Sequence, residues 1–258
     1  MIRRRSLLWY ACLLGITAGL LPLGLCSCNR EEGAPTTPAT PARQSLQLLA
    51  TYSLSVTEPS GLAYSPLLQR LYMISDNRAE IFTIDTMGRV LGSIPVAGSD
   101  IEGVAVSPTG DTLYIVEETP SRVLTVLMTG AIVDSMTVQV RTDPKHALEG
   151  ITIGYAGHRV VINEKTPTML VEFSGKTELQ RLTLSYATDL SDICYDAGGD
   201  CYWILSDESQ KVMKISRSGA MMGEWSTTAQ QGEGIALIGN RVYIVSDVDA
   251  KLFVYAKP

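Results

Sequence analysis

Ten acidic residues recur in this chain at positions where carboxylates could act together. Glu102, Glu149 and Glu233 each stand directly before a glycine and open an apolar run, as in Ile101-Glu102-Gly103-Val104-Ala105. Glu58 and Asp189 precede two further runs of the same kind, Pro59-Ser60-Gly61-Leu62-Ala63 and Leu190-Ser191-Asp192-Ile193-Cys194. A second set, Asp76, Glu118, Glu164, Asp207 and Asp247, closes the apolar run that follows each of these. A glutamate just ahead of a glycine has no turn chemistry to explain it. Carboxylates converging on one point raise one another's pKa unless a cation sits among them, and hard oxygen ligands suit calcium. Glu102, Glu149 and Glu233 are therefore read as a metal set; the alternative is that they are simply solvated. The outer acids, with Glu58, Asp189, Asp192 and Lys165, are ligand-binding candidates. For the outer set, Ser-Asp and Asn-Glu pairs at strand ends also close turns through side-chain to backbone bonds.

The fourth unit departs from the pattern, with Ser191 in place of the glutamate and Asp192 in place of the glycine. Either Asp192 supplies the missing carboxylate from a shifted position, or the ring is open there for a ligand. Lys165, directly after Glu164, and the Lys145-His146 pair ahead of Glu149 could neutralise acid in place of a metal. His146 is also the one weak candidate for a general base, whereas His158 falls in a turn at the opposite end and has no part in this reading. Neither Gly-x-Ser-x-Gly nor His-Glu-x-x-His occurs, which disfavours covalent acyl chemistry and a zinc protease.

A repeat must position these residues. Corresponding positions 61, 103, 150, 192 and 234 are spaced by 42, 47, 42 and 42 residues. Each unit continues after a polar turn into a second apolar run such as Leu71-Tyr72-Met73-Ile74-Ser75-Asp76, then into two more alternating segments joined at Gly88, Gly130, Gly175 or Gly219. Four short strands recurring at this period predict an all-β fold, a five-bladed β-propeller of four-stranded antiparallel blades. The chain stops after the third strand of its fifth unit and begins the domain with an orphan strand, Leu46–Leu54. Joining the N-terminal strand to the C-terminal blade would close the ring and remove open edges. In such a blade the start of the first strand and the end of the second lie together, so every motif acid shares one face, and the innermost strand brings the glutamates to the channel mouth. Tyr72, Tyr114, Tyr202, Trp203 and Tyr243 recur at one strand position as core between blades. Cys194 and Cys201 lie on one hairpin, either as a cross-strand disulfide or as two free thiols.

Ahead of the domain, Arg3, Arg4 and Arg5 precede an uncharged apolar run from Leu7 to Leu25, the pattern of an export signal over residues 1–27. Residues 28–44, rich in proline and threonine, read as a flexible tether, leaving 45–258 as one propeller domain. Removing three arginines and no acids takes the formal charge from -6 to -9, which excludes nucleic acid as a natural partner. A monomer is expected.

The segment around Cys28, with Ser27 before it and Leu25 three places back, resembles the lipobox of bacterial lipoproteins. That resemblance implies lipidation at Cys28 and a membrane partner reached through the lipid, with the chain in the cell envelope on the periplasmic or external side of the outer membrane. The segments EPSGL, IEGVA, LEGIT with NEKTP, LSDI with SDES, and EGIAL resemble, in that order, those of the SdiA-regulated family of exported propellers. Calcium binding is an implication from propeller relatives. Two functions fit these residues: a tethered module binding calcium and a small molecule or envelope protein at the acidic face, or a calcium-dependent hydrolase of the lactonase or phosphoesterase kind. A purely structural scaffold leaves the convergent glutamates unexplained.

Overall fold

The computed structural model describes residues 44–75, 77–140 and 146–258, all within the compact unit Ala42–Pro258. The export signal, Cys28, the tether up to residue 43, Asp76 and Lys145 lie outside the described residues. The described chain forms five sheets, each built on four antiparallel strands, arranged as a five-bladed propeller. The innermost strands are Pro59–Ser65, Ile101–Val106, Leu148–Ile153, Asp192–Asp196 and Gly232–Ile238. Each pairs with the strand that follows it in sequence.

The second strands are mostly buried, Arg159–Asn163 and Cys201–Ser206 along their whole length, because both of their faces meet neighbouring blades. Five apolar clusters fill the five gaps between blades. Leu71 and Met73 pack on Tyr243 and Val245, for example, and Val160 and Ile162 on Tyr202 and Ile204. Side chains buried like these contribute about 1.5–3 kcal/mol each. The fourth strands form the rim, largely exposed as in Val90–Pro95 except for the half-buried Met221–Ser226 of the fourth blade. Gly88, Gly130, Gly175 and Gly219 all have positive φ, as the turn into the fourth strand requires.

The ring closes through the N-terminal segment. Leu48–Ser53 pairs antiparallel with Lys251–Ala256, Leu48 facing Tyr255 and Ser53 facing Lys251. The segment also reaches farther than expected. Gln44, assigned to the tether by composition, and Ser45 run parallel to Trp225 and Ser226 of the fourth blade, and Leu46 is buried against Trp203 and Tyr255. One strap thus holds the fourth and fifth blades together.

Close packing at the axis explains the motif glycines. A Cβ on Gly61 would lie 2.6 Å from the Glu102 carbonyl oxygen, and one on Gly103 2.3 Å from that of Glu149. One on Gly150 would meet the Asp192 Cα at 2.8 Å, and one on Gly234 the Ser60 oxygen at 2.7 Å. Only glycine lets the inner strands approach so closely, and the glutamates are held by that waist.

Candidate functional site

At the strand-start end of the axis a cavity of about 100 Å³ is lined by the carboxylates of Glu149, Glu164, Asp189, Asp207, Glu208 and Glu233, with Lys165 and Ser191. Six acids therefore face one ammonium. Burial and then the neighbouring Glu102 push the Glu149 carboxyl well above its ordinary range. Burial, followed by Asp207, Asp247 and Asp189, pushes Glu233 up to about 8. Asp207 is raised by burial and by Asp189. Burial opposes the charge of Lys165, but its bonds to Glu164 at 2.7 Å and Glu208 at 2.8 Å outweigh this and hold the ammonium above its usual value. Lys165 offsets only the Glu164–Glu208 side; Glu149 and Glu233 stay crowded.

Beside this cavity, Glu118, His146 and Glu164 each offer one atom within 4.8 Å of the others'. His146 Nδ1 lies 2.7 Å from Glu164 Oε2, and Glu118 accepts the Ala147 N–H at 3.0 Å. Burial raises the Glu118 carboxyl. A nitrogen and two carboxylates in this arrangement can hold a divalent cation. Equally, a carboxylate bonded to one imidazole nitrogen orients the ring so that the other can move a proton.

A model of the SdiA-regulated family matches residues 48–255. The chain belongs to this family. No curated protein matches its sequence. Among solved structures, Myxococcus xanthus glutaminyl cyclase is similar with a TM-score of 0.66 at 13% identity, over 84% of this chain and 99% of the cyclase chain. A chain of a nidogen/laminin complex gives 0.59 at 12% identity, over 77% and 76%. Virginiamycin B lyase from Staphylococcus aureus gives 0.52 at 15%, over 80% and 69%. At these identities the likeness is one of fold.

In this SdiA-regulated propeller the three glutamates read as one metal set are divided. Glu149 and Glu233 line the cavity, whereas Glu102 does not and accepts the Ser60 hydroxyl at 3.1 Å. Asp189 faces the cavity but organises a turn: its carboxylate accepts the Ser206 and Ser191 hydroxyls and the N–H groups of Asp207 and Glu208. Asp207 and Asp247 each accept a turn N–H at their carbonyls, from Gln210 and Ala250. Glu58 is exposed, at a left-handed φ of 50° before the first inner strand.

Asp192 is the largest departure from expectation. It neither faces the cavity nor leaves the ring open, but lies fully buried in the waist. Its Oδ2 accepts the N–H groups of Leu62 at 3.2 Å and Ile235 at 2.8 Å, tying the fourth blade to the first and fifth. Oδ1 has no partner, and burial pushes the carboxyl up to about 8. The side chain crosses the space that glycine leaves elsewhere. Cys194 faces Trp203 and Cys201 faces Asp196, so the two thiols are diagonal rather than opposed, and both are free.

Sequence reasoning missed Glu208, which pairs with Lys165, and Glu117, fully buried with its carboxylate on Arg122 and on the Ser99 N–H. Glu208 follows the Ser-Asp of its turn with no repeat counterpart to mark it. Glu117 stands one place before the acid that the repeat singled out.

Proposed function

We propose that this SdiA-regulated propeller is a lipoprotein of the cell envelope, anchored in the outer membrane through Cys28, that binds a divalent cation and a small ligand or envelope partner at the acidic end of its axis. Calcium suits the oxygen donors of Glu149, Glu233, Asp207 and Ser191. The observation that carries this reading is the pair Glu149 and Glu233, both raised by burial and by neighbouring acids in one small cavity. A cation among them would restore both to the ionised form and reverse the cost of crowding. The net charge argues against nucleic acid as the partner, and nothing in the repeat asks for a second copy of the chain.

Thermal unfolding of the full chain with calcium and with chelator tests the proposal. Calcium at one hundred times its dissociation constant should add about 2.7 kcal/mol. That gain should vanish in the Glu149→Gln, Glu233→Gln double variant and persist in Glu102→Gln. An unchanged midpoint in the wild-type protein would sink the cation.

The Glu118, His146 and Glu164 cluster favours a second reading, a cation-dependent hydrolase in which His146, oriented by Glu164, takes a proton from water. Enzymes such as the cyclase and the lyase occur on similar folds. Turnover of lactone, aryl ester or phosphoester substrates that is lost in His146→Gln would support it, and silence across the screen favours the binding module.

A further inference from the structure

On the opposite face, between the third and fourth blades, lies a shallow cavity of about 370 Å³ lined by Tyr155, His158, Glu172, Leu179, Gln180 and Arg217, with Ser218 at its edge. Its polar groups form a built arrangement. Glu172 is 3% exposed. Its Oε1 lies 2.7 Å from His158 Nδ1, and its Oε2 accepts the Gln180 amide at 2.9 Å. Gln180 is held in turn by the Arg217 carbonyl at 2.9 Å. With both oxygens of Glu172 engaged, the imidazole is fixed through Nδ1, and Nε2 is the ring atom that Glu172 leaves unengaged.

Arg217 stacks on Tyr155, its guanidinium carbon 4.1 Å from the ring centre, and reaches the exposed Asp200 at only 3.5 Å, an ion pair of little worth in solvent. Its Nε is buried with no partner. Tyr202, fully buried, lies behind this lining with its hydroxyl beside the Arg217 guanidinium. Burial and then the nearby Glu172 hold that phenol above its usual range, against the opposing effect of Arg217, so it stays neutral. The unmatched buried atom of this lining, Arg217 Nε, is thus a donor, while both oxygens of its one buried carboxylate are already engaged. A group that supplies acceptor oxygens would remove that deficit. Tyr155 and Leu179, each about half exposed, provide an adjoining apolar wall.

We propose that this cavity is a second binding site, for a small organic carboxylate whose oxygens accept from Arg217 and His158 and whose apolar body lies on Tyr155 and Leu179. This site shares no residue with the acidic cavity and does not depend on a cation there.

Calorimetric titration of the full chain with sodium benzoate, and separately with sodium acetate, tests the proposal. Benzoate should bind saturably at one site per chain, with acetate at least tenfold weaker for want of an apolar body. Arg217→Gln should weaken benzoate at least tenfold and His158→Gln several-fold, with unfolding still cooperative. Arg217→Lys, which keeps the charge but not the fork, should fall between. Should Arg217→Gln fail to fold, His158→Gln and Arg217→Lys decide the same question. The absence of saturable benzoate binding at millimolar concentration, or equal binding in the wild type and in folded variants, overturns the site. Acetate binding as tightly as benzoate overturns the part given to Tyr155 and Leu179.

Discussion

Replacing Asp192 with asparagine should make the protein more stable than wild type near pH 8 and remove a pH dependence that the wild type carries. The folded carboxyl titrates at about 8, against 3.8 for an ordinary aspartate. A group raised in this way stabilises the fold while protonated, so its contribution is fully present below pH 3.8 and is lost as pH rises through about 8. Between pH 5 and pH 8 this amounts to about three pH units at roughly 1.4 kcal/mol each, a ceiling of about 4 kcal/mol. Side-chain relaxation and entry of water reduce such ceilings, and about 2 kcal/mol is expected, or roughly 4–8 °C in Tm for a domain of this size. Asparagine keeps an acceptor for the Leu62 and Ile235 N–H groups and carries no charge into the waist. Glu149 and Glu233 add slopes of the same sign; subtracting the variant from the wild type removes these except for the part that Glu233 shares with Asp192. The assay is thermal unfolding of both proteins in chelator at pH 5, 6.5 and 8. A gap between variant and wild type that stays constant over that range, or that moves in favour of the wild type as pH rises, would refute the account of a buried, proton-bearing carboxyl at the axis.

Gly103→Ala should lower stability by about 3 kcal/mol, read as loss of Tm, because the added methyl would stand 2.3 Å from a backbone oxygen that has no room to move. Gly92→Ala, where nothing lies within 4 Å, should leave Tm within about 2 °C. Cys194 and Cys201 should both resist iodoacetamide in the native protein, since burial raises both thiols above their usual range, and both should react after unfolding without reductant. A disulfide between Cys194 and Cys201 in the purified chain would contradict the diagonal register.

Most of the fold was legible in the sequence because a propeller repeats its instructions. Five copies of one pattern at near-constant spacing, glycine at the last turn of four of them, and a missing strand at one end matched by an extra strand at the other determine blade number, strand order and closure. The same repetition brought the acids to one face, since an antiparallel hairpin leaves no other place for them. What the repeat could not decide is how near each side chain comes to the axis, and which groups it meets there. Glu102 and Glu149 occupy equivalent positions, yet Ser60 holds one of them and the other faces the cavity. Asp192 looked like a break in an acidic ring and proves to be a tie across the waist, because the distance between inner strands, a property of the closed ring, determines what fits beside a glycine. Glu172 sits on a strand and His158 in a turn, and they touch only after the blade has formed. Tyr202 and Arg217 reach them from the next blade, and no spacing in one dimension records a contact made between blades.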